Sequence, residues 1–213
     1  MATIKQKYRQ YLEENFKGLK IRTPIFFIGD FGLRFDLEKG EPDTDEYFIE
    51  VVKRSTSLFE AAFDPDDNLF LLFQEYKWRR KKIRFENYCF KQISALRKED
   101  VVYSVIRNVY EKDDIFNAAL LKLKTNRINY KNILTATANT DFPPRQPRFQ
   151  FFSNVEIYFI NTTKNLIFHM YDDRGLDIIS SEAETLKPIY TKFNDWILEA
   201  NREKIDEIML SRA

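Results

Sequence analysis

Hydrophobic residues recur in the first part of the chain at two spacings, one typical of helices and one of strands. In residues 3–19 and 43–63 they fall three or four positions apart with charged residues between them, which predicts two amphipathic helices. In residues 33–37 apolar and polar positions alternate, which predicts a half-buried strand. The same patterns predict further strands in 68–76 and 101–110, and further helices near 86–95, 129–139 and 202–210. Residues 119–124 could form a strand or a helix, and we favour a strand.

Three strand-like runs lie close together near the C-terminus. They read NVEIYFIN, NLIFHMYD and LDIIS, and only the short connections TTK and DRG separate them. Connections of this length join neighbouring antiparallel strands. The pattern therefore predicts a three-stranded antiparallel meander.

An apolar stripe at helical spacing follows the meander, and we expect it to pack in the core. Ser181 and Glu184 have the spacing of a capping box, but a helix that began there would hold Pro188 in its interior. We therefore predict that the regular helix begins near Thr185, which leaves Pro188 in the first turn, where its missing N–H costs little. The stripe consists of Leu186, Ile189, Tyr190, Phe193, Trp196 and Ile197.

These elements together predict an α+β fold, with a largely antiparallel sheet that ends in the C-terminal meander and packs against helices. The length fits a single domain over residues 1–213. The stretch DFPPRQPR, residues 141–148, holds three prolines, which cannot donate to a sheet ladder. We expect irregular structure there, and a subdomain boundary is possible near this point.

Composition excludes several classes of function. Hydrophobic residues make up 44% of the chain, which is ample for a packed core. The single Cys89 rules out an internal disulfide and a Cys-rich zinc site, and neither G-x-G-x-x-G nor the P-loop motif occurs.

No stretch is long and apolar enough for a membrane span, and the N-terminus does not resemble a signal peptide. We expect a cytoplasmic protein.

The segment HMYDDRG, residues 169–175, concentrates more potential chemistry than any other stretch. It holds the only histidine, two aspartates, an arginine and a glycine. The sequence favours a tight turn between two strands, since Asp suits early turn positions and Gly175 can supply a positive φ. This interpretation accounts for Asp172, Asp173 and Gly175 as residue types.

A functional interpretation of the same segment remains open. Asp172 and Asp173 could bind a hard cation with further ligands such as Asp30, Asp36 or Asp141, and Arg174 could bind an anion. His169 could act as a general base, although nothing marks a nucleophile. For His169 we favour a half-buried ring that is hydrogen-bonded across the sheet.

The run KWRRKKIRF places six cations within nine residues, together with Trp78 and Phe85. Cations interleaved with aromatic rings can hold phosphates and stack on bases. A net charge of +1 argues against general nucleic-acid binding, which draws its affinity from neutralised phosphates. A solvated loop is the favoured interpretation. The candidate residues of this patch are Lys77, Arg79, Arg80, Lys81, Lys82 and Arg84.

Several segments together resemble an uncharacterised bacterial domain-of-unknown-function family. They read GLRFDL, LFEAAFDPDDNLFLLFQEY, ILTATANTDFPP, VEIYFINTTKNLIFHMYDDRGLDII and IYTKFNDWIL. The resemblance runs from about Gly32 to Arg202, and its most specific part is the hairpin Tyr-Asp-Asp-Arg-Gly. It implies a bacterial cytoplasmic protein and supplies no catalytic assignment. It directs attention to the hairpin residues 171–175, and after them to Arg34 and Asp141.

For function we favour a non-enzymatic protein-binding domain, such as an immunity-type inhibitor or a regulator of another bacterial protein. The motivation is that no nucleophile, metal cluster or phosphate loop accompanies the abundant charge and aromatics. We expect no cofactor, and a protein partner rather than nucleic acid or a membrane. The alternative is a metal-dependent enzyme or nucleic-acid-processing protein that uses Asp172, Asp173 and His169. The sequence leaves the oligomeric state open.

Overall fold

The structure, a computed structural model, describes residues 2–77, 82–107, 115–143, 145–149 and 155–210. Seven strands of this part form one sheet in the order β1-β7-β6-β5-β2-β4-β3, and each neighbouring pair is antiparallel. The predicted α+β fold with a largely antiparallel sheet is confirmed. The strands are β1 Phe31–Asp36, β2 Asn68–Tyr76, β3 Val102–Arg107, β4 Ile115–Lys124, β5 Val155–Asn161, β6 Leu166–Met170 and β7 Gly175–Ser180.

Six α-helices and several short 3-10 turns surround the described sheet. The predicted amphipathic helices before β1 and after it are confirmed, and the helix predicted near 86–95 is reduced to a single turn. The helices are α1 Ile4–Phe16, α2 Asp45–Ala62, α3 Tyr88–Lys91, α4 Tyr130–Ala138, α5 Ala183–Lys192 and α6 Arg202–Leu210.

The predicted C-terminal meander is confirmed, because β5, β6 and β7 are consecutive neighbours in the sheet. The first strand of the chain, β1, then adds to β7 at the edge, with Arg34 directly opposite Asp177. The long central strand β2 joins this half of the sheet to β4 and β3. The sheet therefore brings residues from both ends of the chain side by side.

The two faces of the sheet carry different covers. The first face packs against α2, α4, α5 and α6 through a large aromatic core that includes Phe59, Phe159 and Phe168. The second face packs against α1 and Ile25, and its core includes Leu12, Phe70 and Tyr158. Because successive residues of a strand point to opposite faces, the five inner strands β2, β4, β5, β6 and β7 contribute to both layers.

The start predicted for α5 is wrong. The helix begins at Ala183 with Glu182 as N-cap and no side-chain cap, so the Ser181–Glu184 capping box does not form, and Pro188 lies inside the helix. Proline at this position removes one backbone hydrogen bond and crowds the preceding turn. Burial of Leu186 and Ile189 on the same helix offsets that cost, since tertiary packing overrides local propensity.

The apolar stripe after the meander packs against the core as predicted, but not as one continuous helix. Leu186, Ile189, Phe193 and Ile197 are buried, and Tyr190 and Trp196 are partly buried against them. The α-helix ends at Lys192, and Asn194–Trp196 form a 3-10 turn.

No helix in the described ranges is both long and apolar enough to cross a membrane. The described residues of 141–148 are neither helix nor strand, as the prolines predict. That this stretch marks a subdomain boundary stays a prediction.

Candidate functional site

Asp172 and Arg174 stabilise their own turn. The Asp172 carboxylate accepts hydrogen bonds from the backbone N–H of Arg174 at 2.8 Å and of Gly175 at 3.2 Å. Its second oxygen accepts one from Arg174 Nε at 2.9 Å. The Arg174 side chain is 66% exposed and that of Asp172 only 13%. These contacts are the ones that the turn interpretation predicts.

Asp173 points away from Asp172 and into the first face of the sheet. It is buried and accepts a hydrogen bond of 2.6 Å from the Tyr47 hydroxyl in the first turn of α2. Burial raises the pKa of the Asp173 carboxyl, and the hydrogen bond from Tyr47 opposes this rise. The two aspartates therefore serve separate structural contacts.

The predicted cation ligands do not converge. Asp30 forms an ion pair with Lys17 at 2.7 Å, and Asp36 accepts a hydrogen bond from the backbone N–H of Glu38 at 2.8 Å. Asp141 is exposed in the turn after α4. Within the part of the chain that the structure describes, no three His, Cys, Asp or Glu side chains lie where they could hold a metal ion.

On the second face of the sheet, polar side chains from four neighbouring strands form a row. The antiparallel register places Arg34 of β1 opposite Asp177 of β7, and Asp177 opposite His169 of β6. The Tyr158 ring of β5 stacks on the His169 ring, with centroids 4.2 Å apart and planes inclined by 21°. We refer to Arg34, Asp177, His169 and Tyr158 as the polar row.

The Arg34–Asp177 pair anchors one end of the polar row. Arg34 Nε lies 3.1 Å from Asp177 Oδ1, but neither atom makes a hydrogen bond of good geometry, so the attraction is mainly Coulombic. Asp177 Oδ2 accepts a hydrogen bond from the Phe26 N–H at 3.2 Å. Burial raises the pKa of the Asp177 carboxyl to about 6, against the opposing effect of Arg34.

His169 is not the half-buried, hydrogen-bonded residue that the sequence suggested. The ring is fully buried, and neither ring nitrogen has a hydrogen-bond partner among the described residues. Burial lowers the pKa of the imidazole to about 3, because the charged form loses its hydration. The ring is therefore neutral at pH 7, and stacking on Tyr158 takes the place of the expected cross-strand hydrogen bond.

Tyr171 covers the outer end of the polar row. The Arg34 guanidinium carbon lies 5.3 Å from the Tyr171 ring centroid and 5.2 Å from that of Phe27, within the range of cation–π attraction. Two of the candidates from the sequence, Arg34 and Tyr171, thus meet at this point, whereas the contacts between described residues do not connect Asp141 to either.

Gly175 is required for a different reason than predicted. The positive φ expected there is wrong, since the described glycines with positive φ are Gly18 and Gly40. A Cβ atom at residue 175 would overlap the Tyr171 hydroxyl. The missing side chain thus gives the phenol room to lie across β7 towards Arg34.

Sequence reasoning missed Asp177 and Tyr158. The available signal was a single charged residue inside the apolar run LDIIS, two positions after the glycine of the turn. A charge within a buried strand requires a partner. The paired meander strands place this aspartate beside His169, but its pairing with Arg34 depends on β1, which is remote in sequence.

The basic run lies only partly within the described residues. Lys77 is half-buried, while Lys82 and Arg84 are exposed. Arg79, Arg80 and Lys81 lie outside the described residues. A nucleic-acid patch at this run stays a prediction.

Comparison with known proteins gives a family and one relative. The model of the family described as Domain of unknown function (DUF3885) matches residues 8–201. The uncharacterized protein YnaE of Bacillus subtilis (strain 168) is 27% identical over 206 residues, covering 89% of this chain and 96% of that protein. No solved structure matches the chain. The resemblance to a domain-of-unknown-function family is confirmed, and the chain belongs to DUF3885.

Proposed function

We propose that this chain is a non-enzymatic protein-binding domain, of the immunity or regulator type, that docks an acidic surface of its partner. The observation that carries the proposal is the exposed Phe27 ring, which is 57% exposed although it is a large apolar side chain. Arg34 lies 5.2 Å from its centroid, and Lys204 of α6 lies 5.7 Å from it. We refer to Phe27, Arg34, Tyr171 and Lys204 as the Phe27 patch.

The composition of the Phe27 patch supports a binding role. Aromatic residues and arginine are enriched among the side chains that dominate binding energies at protein interfaces. The Phe27 ring packs edge-to-face on Phe26 at 5.1 Å, so little side-chain freedom remains to be lost on binding. Lys204 is exposed, and its charge favours a partner with carboxylates around an apolar depression.

Affinity capture followed by reconstitution tests this proposal. The wild-type chain is used as bait in a lysate of its source cells, and a retained protein is purified and titrated by calorimetry. We expect one-to-one binding that weakens at least about tenfold in Phe27→Ala and in Lys204→Glu, since changing one of the few side chains that dominate an interface costs about 2 kcal/mol or more.

Ile49→Ala is the matched control, because Ile49 is a similarly exposed apolar side chain on α2 and lines a separate depression that includes no residue of the patch. It should leave the affinity unchanged. The proposal is wrong if repeated captures yield no stoichiometric partner, or if all three variants bind that partner like the wild type.

The positions of Asp172 and Asp173 give no support to the alternative enzymatic function. Asp172 binds the backbone of its own turn, whereas Asp173 binds Tyr47 of α2. The proposed protein is bacterial and cytoplasmic, and the Tyr171–Gly175 hairpin is proposed as a mark of its family. The hairpin contributes Tyr171 to the Phe27 patch, while Asp172 and Arg174 support the turn and Asp173 binds Tyr47.

A further inference from the structure

A cleft of about 720 Å³ lies between α1, the segment 18–23 and the second face of the sheet. Its lining includes Ile106 and Arg107 of the edge strand β3, whereas the Phe27 patch borders β1 at the opposite edge of the sheet. Its size falls within the range of roughly 300–1,000 Å³ that is common for small-molecule sites. We refer to it as the α1 cleft, and it is independent of the proposed protein-binding function.

The floor of the α1 cleft presents an amide beside a carboxylate. Gln74 of β2 and Glu156 of β5 are directly opposite each other in the register, and both line the cleft. Gln74 is only 3% exposed, and its Nε2 has no hydrogen-bond partner among the described residues. Rotation about its soft terminal torsion can turn this donor towards the cleft.

Two neighbouring hydroxyl groups fix the Glu156 carboxylate. Its Oε2 accepts a hydrogen bond from the Tyr158 hydroxyl at 2.5 Å, and the Thr23 hydroxyl lies 3.0 Å from the same Tyr158 oxygen. A carboxylate has about four acceptor positions, so it can accept a further donor. Burial raises the pKa of Glu156, which means that its charge is poorly hydrated and that an added N–H donor would stabilise it.

The walls and the mouth of the cleft differ in chemistry. The walls include the rings of Tyr8 and Phe116 together with Leu12 and Leu72, which suits a planar or apolar body. Four cations stand around the mouth, accompanied by one acid, Glu13. The four are Arg9, Lys20, Arg22 and Arg107. A ligand that combines an apolar ring with an anionic group fits both regions.

We propose that the α1 cleft binds a nucleoside monophosphate. The edge of a nucleobase carries an N–H donor beside an acceptor, which matches Glu156 and Gln74, and its ring matches the aromatic walls. The phosphate meets the cations at the mouth. A fatty acid would match the walls and mouth but would leave the buried Gln74 amide without an acceptor, as it is in the unliganded cleft, and would gain no hydrogen bond there.

Calorimetric titration with GMP, AMP, UMP and CMP tests this proposal on the full chain. We expect at least one of the four to bind at a single site. Its nucleoside and inorganic phosphate should each bind at least about tenfold more weakly, since each lacks one of the two recognised parts. Binding of dodecanoate without binding of any nucleotide would overturn the proposal, as would no binding of the four nucleotides.

Two variants and a control locate the bound nucleotide. Gln74→Met removes the floor amide and should weaken binding at least about tenfold, because an unpaired base acceptor is left behind. Lys20→Gln, an exposed change at the mouth, should weaken binding and reduce its dependence on salt. Gln10→Met makes the same glutamine-to-methionine substitution at a residue of α1 that does not line the cleft. This variant should bind the nucleotide like the wild type.

Thermal unfolding of each variant separates a lost contact from a lost fold. If Gln74→Met unfolds early, the Lys20→Gln result decides, because its site is exposed. Equal nucleotide affinity in Lys20→Gln, Gln74→Met and Gln10→Met would overturn the assignment of the site.

Discussion

The turn at Asp172–Gly175 and the polar row differ in how their residues come together. The turn draws its three polar residues from consecutive positions, and their side chains are engaged by the hairpin or by Tyr47. The polar row draws its members from four strands, with Arg34 and Asp177 far apart in sequence. The polar residues that are adjacent in sequence, those of the turn, have structural roles. The buried polar residues that meet in the polar row come from distant parts of the chain.

The largest expected effect tests whether the polar row depends on its ion pair. Arg34→Met removes the cation but keeps an unbranched side chain among the surrounding rings, and it leaves Asp177 buried without its partner. We expect the free energy of unfolding at pH 7 to fall by about 3–5 kcal/mol, as for other buried pairs that lose one member. Urea unfolding measures it.

The double variant Arg34→Met with Asp177→Leu is the control for that experiment. Removing both charges together should restore much of the lost stability, because a buried pair replaced by apolar residues is often close to neutral. A single-variant loss below about 1 kcal/mol would mean that the pair behaves like a surface salt bridge, and the contrast with the turn would disappear.

The next effect is the pH dependence of the polar row. The folded-state pKa of His169 is lowered from 6.5 to about 3, so the unfolded chain binds a proton first and stability falls as the pH falls from 6.5 towards 3. The pKa of Asp177 is raised from 3.8 to about 6. Its contribution is present below 3.8 and is lost as the pH rises through 6, opposite to that of His169.

His169→Phe separates these two opposing contributions. The stability of this variant relative to wild type should rise by about 1.4 kcal/mol for each unit by which the pH falls from 6.5 to 4, because only the wild type has an imidazole to charge on unfolding. Denaturant unfolding across this range gives the difference. A difference that does not change with pH would show that His169 is hydrated in the folded state.

Gly175 lies where the turn and the polar row meet, in close contact with the Tyr171 side chain. Gly175→Ala places a methyl group against the Tyr171 phenol, and we expect a loss of about 1–3 kcal/mol, as for other overpacked sites. In a Tyr171→Leu background the same change should cost much less, and a double-mutant cycle measures the coupling. Additive losses would contradict the proposed contact.

The smallest effect belongs to the turn itself. Arg174 is largely exposed and its pair with Asp172 is screened by solvent, so Arg174→Gln should cost about 0–1 kcal/mol. Asp172→Ala also removes the acceptor for two backbone N–H groups and should cost somewhat more, about 1–2 kcal/mol. If Arg174→Gln proved the more damaging of the two, the turn would need a partner that these contacts do not include.

Local pattern was sufficient to predict most of the fold. The alternation around Leu33 and the short connections of the meander depend on neighbours in sequence, and both predictions are confirmed. The start of α5 depended on whether burial of Leu186 outweighs the cost of Pro188, which local pattern does not contain. The polar row required the register between β1 and β7, so Asp177 was passed over as part of an ordinary strand.

The pairing of β1 with β7 also sets an order of events during synthesis. At roughly 5–20 residues per second, the ribosome needs roughly 7–28 s to make the about 140 residues that separate the two strands. Until then the edge of β1 has no neighbouring strand, and Arg34 lacks its native carboxylate partner Asp177. A nascent chain stalled before β7 should therefore be protease-sensitive at residues 31–36, and this edge is where a chaperone would have most to protect.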